Sequence, residues 1–517
     1  MQKILVIISL SFLLGLSACS DWLDLRPESE IVLDDFWRDE SEVNQVLAAI
    51  YRSFTEYNVM ERMLIWGELR SDNVVIGAGR DMPTSMNRLM SGDLTTNNAY
   101  ASWGPMYTVI NYCNTFLHYA SEVVERDENF TQADYNSLKA EVLTIRSLAY
   151  FYLVRTFKKM PWIDAPSITD NQDYRIPKSS EDYILNKLLE DLIFAERNSR
   201  DEFETDLLTK TRITKSAVRS LMVDIYLWME NYEAAVEYAD KVMSDPKLEL
   251  VEGPEVLYEV FFRNYSTESV FELHYERDIQ ENRVIYDFYG DYSRRVAYWA
   301  FPLVLVTGDA DYRIFNVAAG SSTESENDLR RWDFLLNQGD FFSVFKYVGS
   351  RREEIQENVY SYTYGNGFPN WIVYRLSDVI LMKAEALVQL NRLEEAMALV
   401  NMTYMRSNVK EGTEELDLSF YNSQNEMSTL VLRERQRELM FEGKRWFDLM
   451  RLARREKSTS SLVSYVLKKY QGGGGGNNLK LSVMDALYMP IHIDEFNSNS
   501  ALEQNPFYKI EDGNISK

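Results

Sequence analysis

The stretch "VLRERQRELMFEGKRWFDLMRLARR", Val431–Arg455, interleaves Arg and Glu with Leu, Phe and Trp. Three uses of such a segment compete: a face for nucleic acid, an acid/base site, or a helix pair that braces something else. Leu432, Leu439, Trp446 and Ala453 recur at heptad spacing and are joined by Met440, Phe447 and Met450, which draws one apolar stripe. Glu434 and Arg437, Glu442 and Arg445, and Lys444 and Asp448 stand at spacings that pair along a helix face. Gly443 is expected to end or kink the first helix. The charges answer one another, so no basic patch forms, and the segment reads as a helix pair bracing a larger frame.

Working outward, the totals agree. Acids outnumber bases by 80 to 55, a net charge of -25, which repels a phosphate backbone. A hydrophobic share of 45% is too high for a disordered chain, and 517 residues can bury a large core. The 33 Tyr, 25 Phe and 10 Trp exceed what a catalytic site needs and suit both a core and a contacting face.

The chain opens "MQKILVIISLSFLLGLSACSDWLDL". Lys3 supplies a positive start, and the apolar run Ile4–Leu16 falls short of the ~20 residues that cross a bilayer. It reads as an export signal, residues 1–18. "LSAC", Leu16–Cys19, resembles the bacterial lipobox, in which the cysteine becomes the lipid-bearing first residue. Cys19 is thus the expected lipidation site, and Cys113 is left without a disulfide partner.

Two distant segments lay over each other, Ala217–Pro246 and Leu376–Ser407. Val223, Tyr226, Tyr232, Ala235 and Ala239 in the first correspond to Ala384, Leu387, Leu393, Ala396 and Val400 in the second. That pattern resembles the tetratricopeptide repeat, where small residues let antiparallel helices approach. Further helices are expected at Asp39–Tyr57, Tyr100–Val124 and Tyr135–Phe157, the last stopped by Pro161 and Pro166. Between the units, from Gly253 to Trp371, the chain turns dense in aromatics, with one short buried strand expected at Ser269–Tyr275. A second irregular zone follows Leu69, and "QGGGGGNN" near the end reads as a flexible link.

No catalytic pattern emerges. His118, His274 and His492 lie far apart without metal-ligand spacing, and neither GxSxG nor GxxxxGK occurs. No cofactor or metal is called for. A pair of glycosidase carboxylates cannot be singled out among so many acids.

Arg433–Arg451 closely resembles the C-terminal signature of the SusD/RagB family, nutrient-capturing outer-membrane lipoproteins of Bacteroidetes. "YRLSDVILMKAEAL" (Tyr374–Leu387), "AEVLTIRSLAYFYLVRTFKKMPW" (Ala140–Trp162) and "LYMPIHIDEFNSNSALEQNPFY" (Leu487–Tyr508) are similar to further family blocks, in family order. Phe507 departs from a position where the family often has Gly. The resemblance implies a mostly α fold: an α-superhelical frame of degenerate tetratricopeptide-like helix pairs with a loop-rich, aromatic-rich variable part. One domain, 19–517, would comprise helical repeats (19–252), the aromatic insert (253–371) and a C-terminal helical part (372–517). It also implies a surface-facing lipid anchor, a TonB-dependent β-barrel transporter of SusC type as partner, and no catalysis. Most relatives bind glycans and some bind peptides, so a peptide-binding variant stays open, and a helical-repeat glycoside hydrolase stands third.

Sugar rings stack their CH faces on aromatics, and their hydroxyls need polar partners. The expected ligand contacts are Trp66, Asp72, Arg80, Asn98 and Tyr100 in the first irregular zone. In the insert they are Tyr298, Trp299, Trp332, Tyr364 and Phe368. Asp72 and Asn73 could equally cap a loop. Trp103 and Trp371 sit in helix-like signatures and are expected in the core.

Overall fold

The computed structural model describes residues 36–76, 83–168, 172–277, 279–289, 298–300, 328–337, 342–356, 359–364, 369–467 and 480–512. The export signal, Cys19 and the glycine run lie outside them.

The helical frame is a row of elements, each packed on the next. Glu40–Phe54 packs on Gly104–Arg126, which packs on Gln132–Phe157, followed by Glu181–Asn198 and Lys215–Trp228. Gln132–Phe157 is the central member. Its apolar residues surround it on all sides, so it is buried along most of its length instead of showing one apolar stripe. A capping box at Thr131 and Asp134 starts it, and Lys158, at φ 67, turns the chain out of it. Asp39 caps the helix expected at Asp39–Tyr57, accepting from the Glu42 amide.

The two repeat-like units form as expected, Lys215–Trp228 with Tyr232–Met243 and Leu376–Gln389 with Leu393–Ser407. Tyr232–Met243 packs directly on Leu376–Gln389, so units far apart in sequence stack as neighbours in one superhelix. Ala235, Ala239, Ala384 and Ala396 are fully buried at these crossings.

The aromatic insert leaves the frame through a two-stranded stem. Strand β2 (Ser269–Leu273) pairs antiparallel with β8 (Trp371–Arg375), and every residue of both is buried. Trp371 is in the core as expected, but it opens a strand, not a helix. Beyond the stem, a four-stranded sheet has the order β1 (Val74–Ile76), β3 (Tyr298–Ala300), β5 (Phe342–Val344) and β4 (Leu335–Asn337). A separate hairpin joins β6 (Gly349–Gln356) to β7 (Val359–Tyr364).

The signature folds into the helices Gln424–Leu439 and Arg445–Glu456. Between them Phe441 and Gly443 both take positive φ, 69 and 71. At Gly443 the positive φ favours glycine, while at Gly67 close approach requires it. A π-helical turn, Ile65–Leu69, crosses the Gly443 turn so tightly that a Cβ on Gly67 would sit 1.8 Å from the Gly443 carbonyl oxygen. Leu432, Leu439, Trp446 and Ala453 are all buried, as the stripe predicts.

Candidate functional site

The four-stranded sheet unites the two irregular zones. β1 comes from the first zone and the other three strands from the insert, more than 200 residues later in the chain. In the antiparallel register Trp299 stands opposite Val75 on one side and Ser343 on the other, and Tyr298 stands opposite Ile76. The sheet therefore places Trp299 at its centre, between neighbours that sequence distance alone would never bring together.

Short strands need outside support, and buried ion pairs supply it here. Asp72, just ahead of β1, receives two parallel hydrogen bonds from the Arg445 guanidinium, at 2.8 and 2.9 Å, and a third from Gln436 at 3.2 Å. Arg330, on the short helix Arg330–Asp333 leading into β4, donates to Asp328 at 2.7 Å, Glu434 at 2.7 Å and Glu438 at 3.0 Å. Lys346, just past β5, donates to Glu442 at 2.5 Å and to the carbonyls of Glu438 and Met440. Each partner beyond Asp328 belongs to the Val431–Arg455 stretch. That stretch is the bolster on which the sheet is mounted.

The stem is tied to the same stretch. Arg375, at the end of β8, donates to Glu442 at 2.7 and 3.0 Å, Glu438 at 2.6 Å and Glu268 at 2.6 Å. Arg406 joins Glu268 at 2.7 Å and also pairs with Glu438, and Arg437 pairs with Glu434. Five cations (Arg330, Lys346, Arg375, Arg406, Arg437) thus face five carboxylates (Asp328, Glu268, Glu434, Glu438, Glu442), all nearly inaccessible to solvent. Burial alone opposes ionisation of Glu438, yet Arg406, Arg375 and Arg330 hold its carboxyl well below the usual range. Burial draws Lys346 down to about 8 against the pull of Glu442. A second cluster joins Arg435 to Asp448 and Asp378, Lys444 to Asp378, and Arg451 to Glu385 and Asp448.

This corrects the local pairing expected from sequence. Glu434–Arg437 holds at 3.0 Å. Glu442 instead meets Arg375 and Lys346, Arg445 meets Asp72, and Lys444 and Asp448 meet Asp378 and Arg435 respectively. The helix face is buried, so its charges pair with other elements and not along one solvated surface.

The structure divides the expected ligand contacts. Trp66 is 1% exposed; its indole N–H donates to the Tyr100 carbonyl at 2.9 Å and its ring meets the edge of Phe157. Asp72 is occupied by Arg445. Asn98 caps the turn Ala99–Ala101, accepting from the Tyr100 amide and donating to the Ser85 carbonyl. Tyr100 is buried, with its hydroxyl bonded to Glu61. These four are structural, since a buried ring or a satisfied polar group has nothing left to offer a ligand. Trp332 and Tyr364 keep partial exposure. Arg331 lies over the Trp332 ring, 4.5 Å from its centre, and Tyr364 meets Phe345 edge-on. Tyr298 and Trp299 are described by their strand positions, while Arg80 and Phe368 lie outside the described residues. Sequence reading missed Arg330, Lys346, Arg375 and Glu268 altogether. For Lys346, Arg375 and Glu268 the signal was there in "VFKYV", "WIVYRL" and "ESVFEL", where a charge interrupts or borders an apolar run and must find a buried partner. Among the described residues no group of three or more His, Cys, Asp or Glu could hold a metal ion.

A helical-repeat frame carrying an aromatic, partly stranded insert defines the class: a repeat scaffold with a four-stranded sheet mounted on it. Within that class, a family model described as the SusD family matches residues 327–508, and one described as "Starch-binding associating with outer membrane" matches residues 21–227. The chain belongs to the SusD/RagB family. It is similar to SusD-like protein P38 of Formosa agariphila, 25% identical over 86% of this chain and 90% of that one. SusD-like protein P2 of the same organism is 24% identical, over 85% and 89%. A solved SusD homolog from Bacteroides thetaiotaomicron superposes with a TM-score of 0.72 at 19% identity, over 92% of this chain and 98% of that one. A SusD superfamily protein from the same species gives 0.69 at 20% identity, over 91% and 99%.

Proposed function

We propose that the chain is a cell-surface, lipid-anchored glycan-binding protein that captures oligosaccharide or polysaccharide and passes it to a TonB-dependent outer-membrane transporter of SusC type. The observation that carries this reading is the sheet. It gathers the two zones expected to hold ligand and sets Trp299 at its centre, with the partly exposed Trp332 beside β4. Aromatic rings held by a rigid support are what a sugar face needs, because stacking contributes only if the ring is already in place. The family description of starch binding and outer-membrane association supports the ligand class and the location. The lipobox-like Leu16–Cys19 supports the anchor. The chain binds without chemistry in this reading, and the energy for uptake comes from the transporter's partners.

The test is a binding screen of the purified chain against polysaccharides and peptides, with product analysis of each hit. Saturable glycan binding that falls at least tenfold in Trp299→Ala or Trp332→Ala, with the ligand recovered intact, is the expected result. Peptide binding alone would overturn the glycan assignment, and cleavage products would overturn the absence of catalysis.

A further inference from the structure

One cleft lies apart from the sheet and from the ionic bolster. It has a volume of about 430 Å³, in the range of small-ligand sites, and forms where the end of the central helix meets the C-terminal segment. Lys158 and Lys159 enter it from the turn after Phe157, Lys178 from the strand-like return that bridges back to Met160, and Lys509 from the C-terminal helix. Two carboxylates line it as well, Asp485 and Glu503. Asp485 pairs with Lys158 at 3.2 Å and Glu503 with Lys509 at 3.5 Å. Lys159 and Lys178 form no salt bridge among the described residues, although Glu503 also lies near enough to attract Lys178. The cleft therefore carries two uncompensated positive charges on a chain whose net charge is -25.

Such an arrangement costs free energy in the empty chain. Lys178 is half-buried, and burial with the neighbouring Lys159 and Lys509 ammoniums draws its pKa below the ordinary lysine value against the pull of Glu503. An acidic protein with many exposed carboxylates could have neutralised these lysines with a nearby Asp or Glu. It instead leaves them lining a cavity that Phe157, Pro177, Ile491 and Pro506 make partly apolar, with Gln504 and Asn505 also in its lining. Lysine ammoniums are compact point charges suited to an oxyanion, and the apolar wall suits a carbon skeleton more than a bare ion.

We propose that this cleft is a second saccharide site, selective for a sugar bearing a carboxylate or sulfate group, with Lys159 and Lys178 holding the anion and the Phe157–Ile491 wall receiving the ring. That the anion is carried on a sugar rests on the glycan reading above; the preference for an oxyanion rests on the cleft itself.

The experiment is equilibrium binding of glucuronate, glucose and inorganic sulfate to the full-length chain in detergent at constant ionic strength, followed by saturation-transfer NMR. Glucuronate is expected to bind at least tenfold tighter than glucose and tighter than sulfate. A Lys159→Ser/Lys178→Ser double variant should lose at least fivefold in glucuronate affinity with no fall in melting temperature, since a repulsion is removed. Lys178→Arg, which keeps the charge, and Lys187→Ser, at an exposed lysine outside the cleft, should bind as the parent does. Equal glucuronate affinity in the parent and the double variant would overturn the proposal, as would equal binding of glucose. Sulfate binding as tight as glucuronate would overturn the sugar assignment. Trp299→Ala separates the two readings: it should weaken glycan binding at the sheet and leave glucuronate binding at the cleft unchanged.

Discussion

Arg375→Met is the sharpest test of the ionic bolster. The substitution puts an uncharged, apolar side chain of similar length into a site with no solvent access. It leaves five carboxylates facing four cations, because Arg375 alone bridges Glu268, Glu438 and Glu442. One buried negative charge is then uncompensated. Removing one partner of a buried ion pair costs about 3–5 kcal/mol, mostly as the penalty of the stranded charge. Against a total stability of about 5–15 kcal/mol, that is a large share. Urea unfolding followed by tryptophan fluorescence would read it as a lowered midpoint at unchanged slope. Arg375→Met/Glu442→Gln restores charge balance, and it should recover about half the loss although it carries one more substitution. A loss below about 1 kcal/mol for the single variant, or a double variant worse than the single by the full cost of Glu442→Gln, would refute the reasoning. Either would mean that water reaches these carboxylates.

Other outcomes follow from the same packing. Gly67→Ala should cost about 3 kcal/mol, since its Cβ would meet the backbone oxygen of Gly443 at 1.8 Å and neither backbone can yield; Gly104→Ala, with only the Ser102 hydroxyl at 3.6 Å, should cost less than about 0.5 kcal/mol in the same urea assay. Burial raises Glu68 to about 7 despite donors from Asn73, Phe441 and Gly443. Its folded pKa lies above its unfolded value, so the stability it contributes is full below about pH 4.5 and is lost as pH rises through about 7. Glu68→Gln should flatten that fall, by up to about 3 kcal/mol between pH 4.5 and 8 in pH-dependent unfolding, while lowering stability at acid pH through a lost hydrogen bond. Burial pushes the Cys113 thiol up to about 12, so it should resist a thiol reagent until the chain unfolds. Mature protein taken from membranes should then titrate one thiol per chain in denaturant, Cys19 being lipidated; two would refute the anchor.

What could be read in the sequence was what local chemistry decides. The helix expected at Tyr135–Phe157 was legible because its apolar residues run at helical spacing up to the prolines at 161 and 166, while its first turn and the Thr131 cap were not read. The two repeat-like units were legible because Ala at a helix crossing leaves few alternatives. Strand β1 was not legible, since Val74–Ile76 is too short to show alternation and becomes a strand only through its partner at Tyr298–Ala300. Trp66 and Asp72 were misplaced for a related reason. Both precede a loop that looks irregular, yet the π-helical turn beneath carries them inward against Phe157 and Arg445. The ion pairs of the signature were assigned to near neighbours because i to i+4 spacing presumes a solvated helix face. Glu442 finds its partners 67 and 96 residues away, a distance set by tertiary packing and invisible to any local pattern.

The clamping of the sheet has a mechanical consequence. A long polymer gripped at one point, as in the function proposed above, would drag on its holder whenever its free end was pulled. Asp72–Arg445, Arg330–Glu434 and Lys346–Glu442 carry that load in parallel from the strands to a single rigid strut. No one contact bears the whole tension, and the helical rows behind it feel a shared, distributed pull. The strut's helices are buried over most of their facing length, from Met427 to Leu439 and from Arg445 to Arg451, so a tug at the sheet is passed on to the core behind them.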